Sequence, residues 1–269
     1  MTLIRQHARA EAASILTWAV LLGFVGFITT SLWRYVLNSG ALDVLDDLLR
    51  SATGTLKGLI GTDGASLTYL DGWIQSYVLG NWLSLLYVIF TALFVAGMVT
   101  REMDRRTMAF LLSLPVTRAQ LLVSRWMVLL GALAVLHLSH FAGILLGLAA
   151  LGEAGHPGRY ALAEANSLLL YLFVGGLMLV VSLFIDDFGP GTGATLGVGL
   201  GLVFVHMSTG DATGALKALR GALPFSFYDV QAIVMQGEVP WGDLALLGGG
   251  SLLLLFLAVR LFQRKQIAV

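Results

Sequence analysis

Cysteine is absent from this chain, so neither a disulfide framework nor a thiolate metal site can be built within it. Charge is scarce as well. Only 12% of the 269 residues are Asp, Glu, Lys or Arg while 57% are hydrophobic, and the mean hydropathy is +0.84. A soluble domain carries roughly 25% charged residues, so this composition points into a membrane. The 16 basic residues are matched by 16 acidic ones, and no positive surplus suggests a nucleic-acid partner. Lysine is rarer still: Lys57, Lys217 and Lys265 follow Leu56, Leu216 and Arg264, and none follows the glycine that a phosphate-cradling Walker A loop requires. The chain therefore does not hydrolyse ATP by that route. Intramembrane proteolysis is poorly supported too, because no G-x-S-x-G elbow occurs and Ser139, between His137 and His140, has no recognisable oxyanion frame.

Long uncharged apolar runs are what the chain does have. About 20 such residues cross roughly 30 Å of hydrocarbon, and six runs qualify: Ala12–Trp33, Val78–Thr100, Trp126–Gly152, Ala165–Ile185, Phe188–Gly210 and Leu244–Val259. Their length and lack of alternation predict helices and not barrel strands. The first follows Arg5 and Arg9 but is too long for a signal-peptide core and lacks a small-residue cleavage site, so it is expected to remain as a helix. The fold class is all-α, a polytopic membrane protein with a single transmembrane domain over residues 1–269. With the spans so drawn, all acidic and basic residues fall outside them, whereas ion-driven pumps keep a charged group at mid-membrane. The readily ionisable residues within the spans are His137, His140 and His206. His137 and His140 lie three apart on one helix face, which suits either neutral interhelical hydrogen bonding or a metal or proton role.

Basic residues set the orientation. With a cytosolic N-terminus the inner segments hold 10 Lys and Arg in 48 residues and the outer segments 6 in 89, as the positive-inside rule expects. Both termini are therefore expected in the cytosol. Outside, residues 42–60 place Leu45, Leu48, Leu49, Ala52, Leu56, Leu59 and Ile60 on one helical face, with Asp43, Asp46, Asp47, Arg50 and Lys57 largely opposite. An outer amphipathic segment over 42–77 is the expectation, with Tyr69, Trp73 and Tyr77 as an interfacial aromatic belt. Residues 211–240 are too apolar for a free loop and too interrupted to cross, and read as short re-entrant or interfacial helices. In the fifth span Gly189, Gly193, Gly197 and Gly201 form a small-xxx-small ladder that packs either within the protomer or at a subunit seam.

Residues 100–126, TREMDRRTMAFLLSLPVTRAQLLVSRW, gather Arg101, Arg105, Arg106, Arg118 and Arg125 at the cytosolic face. On a wheel from Arg105 to Leu114, Arg105, Arg106, Ala109 and Ser113 share a polar arc, and Thr107, Met108, Phe110, Leu111, Leu112 and Leu114 fill the rest. Pro115 ends this short surface helix. Thr117 and Gln120 then make the capping-box pattern that opens the next one. A solvated loop with pairing such as Glu102 to Arg106 would be worth only about 0.2–0.5 kcal/mol and would not explain the apolar face.

The run EMDRRTMAFLLSLPVTRAQLL, residues 102–122, resembles the cytosolic loop between the second and third helices of the ABC-2 type permeases, the membrane subunits of type V ABC transporters. Glu102, Thr107, Leu111, Leu112, Ser113, Pro115, Val116, Thr117, Arg118 and Arg125 match that pattern, and Arg106 stands where glycine is usual. LPFSFYD, residues 223–229, resembles the family's Pro-Phe-x-Tyr-Asp region, and FQRKQI, Phe262–Ile267, its basic tail, with Gln266 in place of an aspartate. The resemblance implies an ABC-2 permease fold with an N-terminal amphipathic elbow over residues 2–13 and a coupling helix over about 105–114. It implies ATPase coupling through Glu102, Asp104, Arg105, Arg106, Thr107, Phe110, Leu111, Leu112, Pro115 and Arg118. It further implies a second copy of the permease and two copies of an ABC ATPase subunit that bind ATP and Mg, with no cofactor or metal in this chain. Helices two and five line the path in such dimers, which favours a seam at Gly189 to Gly201. The resulting expectation is an exporter permease of a bacterial or archaeal inner membrane, surrounded by lipid bilayer, moving an antibiotic, peptide or lipid. Two alternatives stand beside it: a non-transport machine coupling ATP hydrolysis to a periplasmic partner or to metalloenzyme maturation, and a metal carrier or enzyme using the three histidines.

Overall fold

The computed structural model describes residues 2–54, 66–106, 108, 116–210 and 212–266. Its helices are α1 (Thr2–Asn38), α2 (Ala41–Ser51), α3 (Leu70–Trp73), α4 (Asn81–Asp104), α5 (Arg118–Leu151), α6 (Pro157–Ser182), α7 (Phe188–Ser208), α8 (Gly214–Ala222) and α9 (Trp241–Arg264). π-Helical turns cover Ile74–Val78 and Ala232–Gln236, and a 3-10 turn covers Pro224–Phe227. No strand occurs among the described residues. Six segments are long and apolar enough to cross a membrane, namely α1, α4 with the turns before it, α5, α6, α7 and α9. Six crossings place the start of α1, the end of α9, the end of α4 with the start of α5, and the α6–α7 connection at one end of the bundle, the terminal end. Residues 39–54, 66–80, 152–156, 209–210 and 212–240 lie at the other, the loop end.

Helices α4, α5 and α6 form the inner layer, with α6 touching α4, α5, α7 and α9, while α1, α7 and α9 are mostly uncovered on their outer faces. The longest helix pair is α1 against α5, and glycines make it close. A methyl group on Gly143 of α5 would stand 2.1 Å from the carbonyl oxygen of Gly23 of α1, and one on Gly147 would stand 2.6 Å from Cβ of Thr30. Gly23 and Gly26 present bare backbone to Ser139 and His140 in return. Ser139 uses the proximity to donate to the carbonyl of Ala19 at 2.6 Å. This is the small-xxx-small geometry by which helices associate in lipid, and it is made by Gly143 and Gly147.

Expectations for the loop end need correction. Helix α2 stops at Ser51, and Ala52 is extended, so the amphipathic helix does not run on to residue 60; residues 55–65 lie outside the described part. Its inward face is Leu42, Leu45 and Leu49, whereas Leu48 points outward. Asp46 is buried there because its carboxylate accepts from the Ser66 hydroxyl and, at 3.1 Å, from the Leu67 amide. The segment Leu70–Val78 is a plug and not an amphipathic surface. Trp73, Ile74 and Val78 are buried in a second apolar core with Trp33, Leu148 and Tyr160, and the Trp73 indole donates to the Thr29 carbonyl at 2.9 Å. Of the aromatic belt, Tyr69 is exposed, whereas Tyr77 packs against the Trp73 ring. A period-3.6 count cannot separate a helix lying on lipid from one folded back into its own bundle. Within residues 212–240 the structure does have short helical pieces. The elbow expected over residues 2–13 is the first third of α1, unbroken from the span that follows.

Candidate functional site

At the terminal end, α4 runs to Asp104, Arg105 closes it, and Arg106 adopts φ 55°. That left-handed backbone is the conformation glycine takes without strain, and a side chain there costs about 1–2 kcal/mol. The departure noted at Arg106 thus falls where the backbone has the geometry a glycine would favour. The helix expected from Arg105 therefore does not begin there; Arg105 and Arg106 are the turn that ends α4. Asp104, Arg105 and Arg106 are exposed, and Met108 beyond them is helical and buried. Thr107, Phe110, Leu111, Leu112 and Pro115 lie outside the described residues. Glu102 accepts from Nη2 of Arg125 at 3.4 Å, and Arg101 donates to Glu11 of α1 at 3.2 Å while its guanidinium lies 5.2 Å over the Phe188 ring of α7.

The start of α5 is built as expected. Thr117 accepts from the Gln120 amide at 3.1 Å, and the Gln120 side chain accepts from the Thr117 amide at 2.9 Å, which satisfies two amides that the first helical turn leaves open. Arg118 then does something the sequence did not announce. Its Nη1 donates to the carbonyls of Phe262, Gln263 and Lys265 at 3.1, 3.3 and 2.6 Å, closing the C-terminus of α9. Lys265 in turn donates to the Leu183 carbonyl at 2.5 Å and pairs with Asp186 at 2.7 Å, just after α6. The basic tail is thus a clasp joining α5, α9 and the end of α6.

The histidines occupy the bundle interior, and here a sequence-level expectation fails. Glu164 is not outside the membrane helices: α6 begins at Pro157, and Glu164 lies seven residues, about 10 Å, along it. It is buried. Its two carboxylate oxygens face Nδ1 of His137 at 2.6 Å and Nδ1 of His140 at 2.5 Å. A carboxylate only accepts, so both rings present Nδ1–H to it. A span boundary drawn at charged residues falls after Glu164, although its carboxylate is hydrogen-bonded inside the bundle. Arg125 of α5 is also buried, nearer the opposite end of the bundle. The Tyr87 ring of α4 stacks on His137 at 4.2 Å and on Tyr171 of α6 at 4.8 Å, so the cluster ties the inner three helices together. Phe225 meets the edge of Tyr171, and His206 of α7 lies 6.0 Å from Phe225 with its Nδ1 3.4 Å from the Ser226 hydroxyl. His206 therefore joins the cluster through aromatic rings and not as a third ligand. No group of three or more His, Cys, Asp or Glu arranged to hold a metal occurs among the described residues.

The Pro-Phe-x-Tyr-Asp segment is fixed onto this cluster. Tyr228 donates to the Leu79 carbonyl at 3.1 Å, Asn166 of α6 donates to the Phe227 carbonyl at 3.5 Å, and Asp229 accepts from the Ala232 amide at 2.9 Å to start the π turn. Arg159 closes that turn by donating to the carbonyls of Val234 and Met235 at 2.9 and 3.1 Å. On α7 the two faces differ. Gly191 and Gly199 pack against Thr100, Met178 and Val88, whereas a methyl group on Gly189, Gly193, Gly197 or Gly201 would meet no described atom within 4 Å.

Six membrane-crossing helices, a basic connection between the second and third, and a loop end folded back as short helices define a multi-pass transport subunit of the ABC-2 kind. A family model described as ABC-2 family transporter protein matches residues 5–267, and the chain belongs to that family. No curated protein matches it. The chain is accordingly the membrane component of an ABC transporter, not itself catalytic, and it works with an ABC ATPase.

Proposed function

We propose that the chain is the permease of an ATP-driven exporter that moves an amphipathic or hydrophobic substrate, such as an antibiotic, peptide or lipid, out across the inner membrane of a bacterium or archaeon. The terminal end faces the cytosol, two copies of the permease pair along the uncovered glycine face of α7, and two ATPase subunits bind ATP and Mg beneath them. The observation that carries this reading is the exposed Asp104–Arg106 turn, set between two core helices, one of which opens on a complete capping box. A push on a connection so anchored reaches the inner layer directly. Because Glu164 is an interior carboxylate, the ATP-driven reading rests on family membership and on the lack of a lysine at a Walker A position, and not on an uncharged interior.

The test is co-purification with the neighbouring ATPase and substrate-stimulated hydrolysis in the assembled complex. Asp104→Ala and Arg105→Ala alter exposed side chains, so stability should hold within about 0.5 kcal/mol while stimulation is lost. Stimulation that survives both changes, or a chain that is stable and active with no ATPase bound, rejects the proposal. A non-transport machine engaging a periplasmic partner is the second reading. The outward face of α2 favours it, with Val44 64% and Leu48 62% exposed. Deleting α2 would abolish partner binding on that reading and leave substrate-stimulated hydrolysis intact on the first.

A further inference from the structure

Between α1, α4 and α5 at the terminal end lies a cavity of about 230 Å³. Its wall carries Arg101, Arg105 and Arg125 against Glu11 and Glu102, an excess of one positive charge among these Arg and Glu side chains. Both acids are engaged, Glu11 with Arg101 and Glu102 with Arg125. Arg125 is the unusual member. Its side chain is only 6% exposed, and among the described residues its Nε and Nη1 have no hydrogen-bond partner, nor does Nε2 of His7 on the facing helix. Buried guanidinium donors are ordinarily satisfied, because desolvating them without an acceptor is unfavourable. Donors left open beside a charged cavity mark a place for an anion.

The cavity does not end in water alone. A second hollow of about 60 Å³ shares Glu11, Phe94 and Arg101 with the first and continues between α1 and α4 past Trp18, Phe90 and Leu93. Trp18 meets Phe90 edge-on at 5.8 Å, and Phe90 lies 5.7 Å from Phe94, so aromatic rings line it; Leu93 is 39% exposed at its edge. A charged chamber leading into an aromatic groove along two membrane helices has the two-part chemistry of a phospholipid. We propose that this composite site binds the phosphodiester of an anionic phospholipid, with one acyl chain laid along Trp18, Phe90 and Leu93. The excess of one positive charge matches the single charge of a phosphodiester, while a monoester with nearly two would leave the site negative. A zwitterionic headgroup would bring its own ammonium against Arg105 and is disfavoured. The leaflet is the cytosolic one on the orientation proposed above, but binding itself does not depend on that orientation or on an ATPase, so the two readings fail separately.

The experiment uses the full chain, delipidated in mild detergent and titrated with phosphatidylglycerol, phosphatidylcholine or inorganic phosphate. Bound lipid is counted by native mass spectrometry and the thermal midpoint is followed in parallel. Phosphatidylglycerol should be retained and raise the midpoint, with phosphatidylcholine and inorganic phosphate doing neither. Arg105→Gln, at an exposed position, should weaken retention roughly fivefold, the equivalent of about 1 kcal/mol for one basic residue near an anionic lipid. Leu93→Trp keeps every charge and fills the groove, and should abolish retention. Equal retention of phosphatidylcholine, an inorganic phosphate effect as large as that of the lipid, or unchanged retention in both variants would overturn the proposal. Arg125→Gln is the less informative change, because it also removes the ion pair with Glu102.

Discussion

Replacing Gly143 by alanine asks the α1–α5 seam to admit one methyl group where the structure has no room. That carbon would stand 2.1 Å from the Gly23 carbonyl oxygen and 2.9 Å from the Phe27 nitrogen, both backbone atoms that cannot rotate away. Ordinary contact needs about 3.5 Å, so the helices must separate by roughly 1.4 Å. A gap of 0.5–1 Å already forfeits a quarter to a half of each dispersion contact. The Ser139 to Ala19 hydrogen bond, 2.6 Å long, would stretch beyond range as well. Overpacking in a core typically costs about 1–3 kcal/mol, and the loss here should reach the upper end, near 3 kcal/mol or roughly a hundredfold in the folding equilibrium. Gly193→Ala is the internal control. Its methyl would meet no described atom within 4 Å, and alanine favours a helix over glycine by about 0.8–1 kcal/mol. Both variants would be compared by denaturant-induced unfolding in mixed micelles at a protein concentration where the wild-type chain is monomeric. Equal midpoints for the two would refute the close-packed seam.

Arg106→Gly should stabilise the chain by about 1 kcal/mol by relieving the left-handed backbone, seen as a higher unfolding midpoint at unchanged denaturant slope; a loss of stability would show that the side chain does more than sit at the turn. Arg118→Ala should remove about 1.5–3 kcal/mol of charge-assisted bonding and speed amide hydrogen exchange at residues 262–266 before anywhere else, with Arg118→Lys intermediate; uniform exchange would count against the clasp. Glu164→Ala strands two buried Nδ1–H donors at about 1–3 kcal/mol each. His137→Leu with Glu164→Ala should then cost clearly less than the two single changes added, and strict additivity in a double-mutant cycle would argue that no shared cluster exists. Glu102→Ala should destabilise by about 3 kcal/mol because it leaves the Arg125 charge buried without its counter-charge, whereas Glu102→Gln restores an acceptor but not the charge and should recover only part of that loss in the same unfolding assay.

The six crossings were legible because lipid imposes length and apolarity, two properties that composition carries directly. The capping box at Thr117 was legible for a similar reason, since both partners lie within one turn. What escaped was everything that depends on a second helix. Glu164 looked like a boundary residue because its two histidine partners stand on α5, 24 and 27 positions away. Arg118 matched a coupling pattern, yet its nearest acceptors are carbonyls more than 140 residues further on. Two glycine ladders share a four-residue repeat; the one with more glycines is Gly189 to Gly201, while Gly143 and Gly147 form the seam that the protomer closes. The Gly189 to Gly201 face is uncovered within the protomer, which glycine spacing alone does not distinguish from an internal seam. A proton partner for His137 was open to inference from an acid just before an apolar run, had that run been extended by one turn.

The junction made by Arg118 and Lys265 has a mechanical corollary. Three helix ends are knotted there by backbone carbonyls that cannot swing aside, so a displacement entering at the head of α5 is delivered to α9 and to the foot of α6 in the same stroke. The bundle is geared at that end, and a tilt of one shaft turns its neighbours.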